Sequence, residues 1–259
     1  MIIDVGANKG DFILPIAESN PDKTCVAIEP IPWLAEEIRS KASERKLKNL
    51  ENLEYAVCEI DGEVDLNISE IYSGGTSSIL EFDPNLRLNE YWRNRHDLVH
   101  SRVIKVKSAK LQTILDFLYK EKEEIIEFIK IDIQGLDLVA LKLIGKWLRN
   151  VNMGMLESAA TKLDALYLLE KFDLEESIRL VRDLGFEIYG VRPNDEGFKE
   201  YNIYFNNPGI EVKKVEEELG LAENKIYLSN LGITEIISSY ENSISWKLTK
   251  PLRMIKNGF

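Results

Sequence analysis

The sequence predicts an α/β fold with a doubly wound, mostly parallel sheet and an antiparallel strand at the sheet edge. Three observations support this prediction. Short apolar runs alternate with helical periodicity along most of the 259 residues, a glycine-containing loop follows the first run, and a turn-rich segment joins the last two runs. Alternation of this kind is typical of parallel strands joined by crossover helices.

The alternation accounts for five parallel strands. Apolar runs of strand length occupy residues 2–5, 25–29, 53–58, 128–131 and 153–156. Helical periodicity occupies residues 12–19, 33–45, 111–124, 136–148 and 163–184. Because each strand is followed by a helical segment, we expect the strands to lie parallel in one sheet.

The last two apolar runs are connected differently. Residues 186–191 and 201–205 are joined through residues 192–197, a turn-rich stretch that includes Pro193, Asn194 and Gly197. A short connection rich in turn residues predicts a hairpin rather than a crossover. The hairpin supplies the antiparallel strand at the edge of the sheet.

Two segments lie outside the alternation. Residues 69–101 contain Gly74, Gly75, a run of three hydroxyl residues and both histidines, a mixture suited to a lid or an acceptor-binding insertion. We predict a main domain over residues 1–210 and a C-terminal helical appendage and tail over residues 211–259. The first strand begins at residue 2 and leaves no room for a preceding helix, which suggests a fragment of a longer protein.

Composition excludes several classes of protein. Lys and Arg total 33 against 44 Asp and Glu, which gives a net charge of -11. This charge disfavours nucleic acid as a partner, because the phosphate groups of nucleic acid repel a negatively charged protein. No run approaches the length of a membrane helix and no signal peptide opens the chain, so we expect no membrane span and a cytoplasmic location. Cys25 and Cys58 lie in apolar runs without metal or redox spacing, and we interpret them as reduced core thiols.

The loop after the first strand has the composition of a cofactor site. Asp4, Gly6, Asn8 and Gly10 occur where a doubly wound sheet binds its nucleotide, and the glycines let the backbone approach a ligand. The G-x-N-x-G pattern lacks the G-x-G-x-x-G spacing of pyrophosphate binders. It suits the amino-acid and ribose portions of S-adenosyl-L-methionine, with Asp4 receiving the ammonium group directly or through water.

Two further carboxylates follow predicted strands. Glu29 ends the second strand and can accept hydrogen bonds from both ribose hydroxyls. Asp132 ends the fourth strand and should face the reactive end of the cofactor, where it can stabilise the sulfonium, position an acceptor hydroxyl or take its proton. An alternative is that the dipole of the following helix alone favours Asp132.

Methyl transfer to oxygen is an in-line displacement, so orientation of the reactants should contribute more than a base. His96 and His100 are alternative bases, and we take His96 with Asp132 as the catalytic candidates. No Asp/Asn-Pro-Pro-aromatic signature of amino-directed methylases follows the fourth strand, which favours oxygen as the acceptor. The spacing of Asp132, Asp137 and Glu157 is not diagnostic of a metal, and no metal site is predicted.

Taken together, these motifs resemble the FkbM family of methyltransferases. The matching segments are residues 3–10, 28–30, 61–62, 74–79, 111–115 and 129–135. The resemblance implies a Rossmann-like, S-adenosylmethionine-dependent methyltransferase that acts on hydroxyls of sugars or polyketide-like natural products, with Asp132 near the transferred methyl. The residues that it places around the cofactor are Asp4, Gly6, Asn8, Gly10 and Glu29. Gln134 departs from the family pattern, which usually has Glu at this position.

We therefore expect an O-methyltransferase for a sugar, a glycan or a small natural product. Two alternatives stay open. One is a non-catalytic cofactor-binding module of a larger polysaccharide-biosynthesis protein, and the other is an NAD-dependent oxidoreductase, because Glu29 would also suit the ribose of that cofactor. Residues 243–253 resemble a segment found beside glycosyltransferase domains in bacterial surface-polysaccharide proteins, which favours a glycan acceptor.

Overall fold

A computed structural model of the protein describes residues 1–69, 75–95, 98–119, 124–170, 172–194 and 197–221. The strands in these residues are β1 (Ile2–Val5), β2 (Cys25–Ile28), β3 (Leu50–Leu53), β4 (Ala56–Val57), β5 (Gly62–Ile68), β6 (Arg102–Ala109), β7 (Phe128–Ile131), β8 (Met153–Ala159), β9 (Glu187–Pro193) and β10 (Glu200–Asn206). The α-helices are α1 (Ile13–Ser19), α2 (Pro32–Glu44), α3 (Leu111–Tyr119), α4 (Asp137–Lys142), α5 (Leu174–Asp183) and α6 (Val212–Leu219).

Seven strands form the main sheet, in the order β3-β2-β1-β7-β8-β10-β9. The first five strands in this order run parallel to one another, and β10 runs antiparallel to both of its neighbours. The predicted doubly wound sheet and the hairpin at its edge are thus confirmed. Within the hairpin β9 is outermost, so the antiparallel strand lies second from the edge.

The third parallel strand lies earlier in the chain than predicted. The sequence indicated residues 53–58, whereas β3 ends at residue 53 and pairs with β2. The chain then changes direction, and β4 joins β6 and β5 in a separate three-stranded sheet. This small sheet was not predicted, although β5 and β6 alternate polar and apolar residues, as strands with one solvated face do.

Two predicted helices are shorter than their periodicity indicated. In residues 136–148, α4 ends at Lys142 and a 3-10 helix covers Gly145–Asn150, because Gly145 takes a left-handed φ of +58°. In residues 163–184, α5 begins only at residue 174. Asp173 caps this helix by accepting a hydrogen bond from the backbone N–H of Glu176 at 3.0 Å.

Helices cover both faces of the main sheet. One face packs against α3, α4 and α5, and the other packs against α1, α2 and α6. Ile2 and Phe128 face the second of these layers. Because side chains alternate along a strand, Asp4 and Lys130, two residues further on, share that face, and they are direct register partners. The fold thus places two charged side chains beside each other inside an apolar layer.

The described part of the predicted insertion forms a small core of its own. It contains two 3-10 helices, Pro84–Leu88 and Trp92–Asn94. Trp92 is buried with Leu166 and Tyr167, which belong to the connection between β8 and α5. The insertion is therefore anchored near the carboxyl edge of the main sheet.

The chain after β10 packs on the main core. Asn20 Nδ2 donates a hydrogen bond to the backbone oxygen of Leu219 at 3.1 Å, and Leu221 is buried. Residues 222–259 lie outside the described residues, so the domain boundary at residue 210 and the appendage stay predictions.

Two further sequence predictions concern the interior and the membrane. Cys25 and Cys58 are both free and buried, as expected of core thiols. Among the helices of the described residues, none has the length and apolar character needed to cross a lipid bilayer.

Candidate active site

A cleft opens at the carboxyl ends of β1, β2 and β7, where a doubly wound sheet binds its ligands. Its cavity has a volume of about 130 Å³. The loops after these strands and the insertion all contribute to its lining, which includes Gly6, Asn8, Glu29, Ser78, Asp132 and Gln134. Four of the seven predicted site residues therefore meet in one cleft.

Gly6 allows the loop after β1 to approach the loop after β7. Its φ is +82°, and a Cβ atom added there would lie 1.8 Å from the backbone oxygen of Asp132. Only glycine fits this position. Asn8 takes a φ of +50°, which asparagine tolerates better than most residues. Gly10 lies outside the described lining, and a Cβ atom there would meet Leu14, so Gly10 permits the tight start of α1.

The carboxylate of Glu29 is held by two backbone donors. Its Oε2 accepts a hydrogen bond from the N–H of Asn8 at 2.7 Å, and its Oε1 accepts one from the N–H of Ile31 at 2.9 Å. Burial raises the pKa of Glu29 to about 7, although these two hydrogen bonds oppose the shift. The orientation of the carboxylate is thus fixed before any ligand arrives.

Asp4 lies beneath the cleft rather than in its described lining. Lys130 Nζ is 3.5 Å from Asp4 Oδ1, and neither carboxylate oxygen accepts a hydrogen bond from the described residues. Burial raises the pKa of Asp4 to about 6, although Lys130 opposes the shift. Burial lowers the pKa of Lys130, but the carboxylates of Asp132 and Asp4 outweigh it and hold that pKa above its ordinary value.

Asp132 is held from both sides. Its Oδ2 lies 3.0 Å from Lys130 Nζ, and its Oδ1 accepts a hydrogen bond from Gln134 Nε2 at 2.9 Å. About a third of its side chain is exposed, in the cleft. Asp137, rather than Asp132, occupies the first turn of α4. The contacts of Asp132 are therefore those of an oriented carboxylate in the cleft rather than those of a helix cap.

A second polar group lies beside Gln134, near the carboxyl end of β8. Glu157 accepts hydrogen bonds from Gln134 Nε2 at 3.2 Å and from the amide nitrogen of Asn194, which lies in the hairpin turn. The hydroxyl of Tyr167 donates to Gln134 Oε1 at 3.0 Å. Burial, followed by the carboxylate of Glu200, raises the pKa of Glu157 well above its ordinary value.

Asp137 shapes the loop between β7 and α4. Its two carboxylate oxygens each lie 3.2 Å from a backbone donor, the N–H of Ile133 and the N–H of Gly135. Burial raises the pKa of Asp137 to about 8, and the nearby carboxylate of Asp132 adds to the shift. In the part of the chain that the structure describes, no group of three or more histidine, cysteine or acidic side chains is arranged to hold a metal ion.

Of the two histidines, only His100 belongs to the described residues. His96 lies outside the described residues, so its catalytic role stays a prediction. His100 stacks on Phe82 with 3.9 Å between ring centroids and does not belong to the described lining. Burial lowers the pKa of His100, against the opposing hydrogen bond to the backbone of Thr76.

Three polar residues near the cleft were not singled out from the sequence. Lys130 had a usable signal, because a lysine inside a buried strand needs a carboxylate partner and Asp4 lies at the matching register. Asn194 was not recognised as a site residue, because its turn-rich segment was interpreted only as a hairpin connection. Tyr167 had no signal, because its segment was predicted to be helical, whereas the described connection before α5 is irregular.

Comparison with curated and solved proteins found partial matches. A tRNA (guanine-N(7)-)-methyltransferase of Mycoplasmopsis synoviae (strain 53) is 33% identical over 97 residues, which are 37% of this chain and 41% of that protein. The chain therefore spans less than half the length of this relative. A solved structure of magnesium protoporphyrin IX methyltransferase from Synechocystis PCC 6803, with bound S-adenosylmethionine, is 10% identical to this chain and has a TM-score of 0.43. The match covers 80% of this chain and 69% of that one.

A second solved structure is Aeropyrum pernix fibrillarin with natively bound S-adenosyl-L-methionine, at 11% identity and a TM-score of 0.42. The match covers 79% of this chain and 65% of that one. The family model for the methyltransferase FkbM domain matches residues 4–188, which contain the cleft described above and more than half of the chain. The chain therefore belongs to the FkbM methyltransferase family, whose chemistry is S-adenosylmethionine-dependent methyl transfer.

Proposed function

We propose that the chain transfers the methyl group of S-adenosylmethionine to a hydroxyl group of an uncharged sugar, glycan or small natural product. The observation that carries the proposal is the cleft in which the fixed carboxylate of Glu29 and the oriented carboxylate of Asp132 stand at two neighbouring loops. When bound, S-adenosylmethionine supplies a methyl group on a positively charged sulfur.

The residues of the cleft fit this cofactor. Gly6 keeps open a space that a Cβ atom would fill, so the backbone itself can lie against the ligand. Each carboxylate oxygen of Glu29 accepts one backbone hydrogen bond and retains the capacity to accept another, which matches two neighbouring ribose hydroxyls. Asp4 contributes negative charge beneath the loop, where the ammonium and sulfonium groups of the cofactor gain from it.

Asp132 is the residue that we assign to the acceptor. Lys130 and Gln134 hold one carboxylate oxygen each, so the carboxylate meets an incoming hydroxyl in a fixed direction. An oriented carboxylate accepts the hydroxyl hydrogen bond, aims the oxygen lone pair and takes the proton as the new bond forms. General-base assistance by such a carboxylate contributes about 10²–10⁴-fold to the rate, and orientation of the reactants adds to it.

The charge around the cleft favours an acceptor without phosphate groups. Asp132 lines the cleft, and the carboxylates of Glu157 and Glu170 lie near enough to interact electrostatically with one another. Lys130, a buried cation beside Asp132, is already engaged by two carboxylates. The whole chain also carries a net charge of -11. A phosphorylated acceptor would meet repulsion at short range and at long range, whereas a neutral hydroxyl compound would not.

The test begins with binding. Thermal unfolding is followed with S-adenosylmethionine, S-adenosylhomocysteine or NADH, and a ligand at about 100 times its Kd should add about 2.7 kcal/mol of stability. We expect the two adenosyl ligands to raise the Tm and NADH to leave it unchanged. A rise with NADH alone would support the oxidoreductase alternative instead.

Methyl transfer is then measured with [methyl-13C]S-adenosylmethionine and three acceptor classes: neutral glycosides, their phosphate esters and transfer RNA. We expect an O-methyl resonance with a neutral glycoside only. Asp132→Asn should keep cofactor binding and reduce transfer about 10²–10⁴-fold, whereas Asp65→Asn, on the outer face of β5, should leave both unchanged. Binding without transfer to any hydroxyl would favour the non-catalytic module.

A further inference from the structure

The side chain of Gln134 lies between two carboxylates and a phenol. Its Nε2 donates to Asp132 Oδ1 at 2.9 Å and to Glu157 Oε2 at 3.2 Å, and its Oε1 accepts from the hydroxyl of Tyr167 at 3.0 Å. An amide nitrogen has two hydrogens, so one reaches each carboxylate. The three contacts also fix which end of the amide is oxygen and which is nitrogen.

The backbone of Gln134 adopts a conformation that disfavours side chains. Its φ is +61°, and the following Gly135 has a φ of +95°. A left-handed conformation is unfavourable for a residue with a Cβ atom, because the Cβ atom crowds the following carbonyl oxygen. The hydroxyl of Ser78 holds the strained peptide by donating to the carbonyl oxygen of Gln134 at 2.8 Å. A long side chain at such a position points to a role that glycine could not fill.

We propose that Gln134 is a positioning residue that orients the carboxylate of Asp132, separates it from that of Glu157, and links both to the insertion through Tyr167 and Ser78. This inference rests on the proposed function, because it assigns the orientation of Asp132 to a particular neighbour. Gln134 itself need not touch the reacting atoms.

At position 134, where the FkbM family usually has Glu, this chain places a neutral donor among charged groups. The ionisable groups that face this position from β7, β8, β10, α4 and the connection before α5 are Lys130, Asp132, Glu157, Glu200, Asp137, Tyr167 and Glu170. Apart from Lys130 and the phenol, all of these groups are carboxylic acids. An amide joins two of the carboxylates by donating to both, whereas a carboxylate in its place would repel them.

Tyr167 connects this arrangement to the insertion. Its hydroxyl lies 3.0 Å from Gln134 Oε1 and 3.0 Å from the backbone oxygen of Thr76. A hydroxyl has a single proton, so the two acceptors share it. Its ring also stacks on Phe82, with 5.4 Å between centroids. Movement of the insertion around an acceptor would therefore reach Asp132 through Tyr167 and Gln134.

The test compares Gln134→Glu with Gln134→Met, which has similar length but no ionisable group. With the acceptor identified above, both variants should lower kcat by about 10- to 100-fold at pH 8, because the carboxylate of Asp132 loses its orientation. Gln134→Glu alone should recover activity as the pH falls towards 6, since its new carboxyl group can then donate a proton to one neighbour. Wild type and Gln134→Met should show no such recovery.

Thermal unfolding of the ligand-free variants gives a readout that does not depend on activity. Gln134→Glu should match the wild-type Tm near pH 5.5 and fall several degrees below it at pH 8.5, while Gln134→Met keeps a constant difference. Tyr167→Phe should lower kcat without adding pH dependence. Parallel pH profiles of Gln134→Glu and wild type, in kcat and in Tm, would overturn the proposal. If wild type transfers no methyl group, the unfolding profiles alone decide it.

Discussion

Replacing Gly6 by alanine perturbs the cleft at its closest approach. The φ of Gly6 is +82°, and the added methyl carbon would lie 1.8 Å from the backbone oxygen of Asp132 and 2.8 Å from its carbonyl carbon. Neither atom belongs to a flexible side chain, so relief requires one of the two loops to move. The chain offers a matched control in Gly185, whose φ is +98° and whose added Cβ atom would meet nothing within 4 Å.

The expected destabilisation has two parts. The left-handed conformation costs about 1–2 kcal/mol for alanine and applies to both variants. Forcing an extra carbon into a packed site adds about 1–3 kcal/mol and applies to Gly6→Ala alone. For a domain of about this size each kcal/mol lowers the Tm by about 2–4 °C, so Gly6→Ala should melt about 2–12 °C below Gly185→Ala.

Differential scanning calorimetry measures the two Tm values, and isothermal titration measures the Kd for S-adenosylmethionine. Gly6→Ala should raise that Kd at least about tenfold, because moving a loop by about 1 Å disturbs the geometry of the site. Gly185→Ala should leave the Kd unchanged, because it lies after α5, away from the cleft. Equal Tm values and equal Kd values for the two variants would refute the close-approach reasoning.

Three further predictions follow from buried groups. Because the pKa of Glu29 is raised to about 7 and ribose hydroxyls bind the ionised form, the affinity for S-adenosylmethionine should rise about tenfold from pH 6 to pH 8 by titration calorimetry, and Glu29→Gln should abolish the rise. Burial raises the pKa of Asp137 from 3.8 to about 8. The contribution of Asp137 to the stability of the folded state is therefore complete below pH 3.8 and is lost as the pH rises through 8. Asp137→Asn should flatten the decline in Tm of the ligand-free protein between about pH 5 and pH 9. Trp92→Phe should lower the free energy of unfolding in urea by about 1–3 kcal/mol, because Trp92 Nε1 donates to the buried backbone oxygen of Asp164 at 2.8 Å. As a control, Trp33→Phe should lower it by less than about 1 kcal/mol, because Trp33 is 44% exposed.

The sequence predicts the structure best where a single hydrophobic period dominates a segment. The parallel strands and the helices between them follow from apolar runs, and the cleft residues Gly6, Asn8, Glu29 and Asp132 follow from their positions at strand ends. Asp4 was expected to receive the ammonium group of the cofactor directly or through water, and this role stays a prediction. The structure buries Asp4 beside Lys130, because alternation along β1 turns it away from the cleft.

Other parts of the molecule depend on contacts between distant residues. The small sheet of β4, β5 and β6 requires pairing across the whole insertion, which no local period reveals. The contacts of Gln134 require Glu157 and Tyr167 to arrive from different segments. The predicted helix over residues 163–184 was wrong in its first half because packing of Leu166 and Tyr167 on the insertion overrides local helical periodicity.

A crystal structure of the complex with S-adenosylhomocysteine tests the central claim most directly. The account predicts that the ribose hydroxyls lie within hydrogen-bonding distance of the two carboxylate oxygens of Glu29, that the amino-acid portion lies against Gly6, and that the sulfur faces the side of the cleft formed by Asp132. A ligand bound elsewhere on the chain, or one in this cleft with its ribose away from Glu29, would contradict the account.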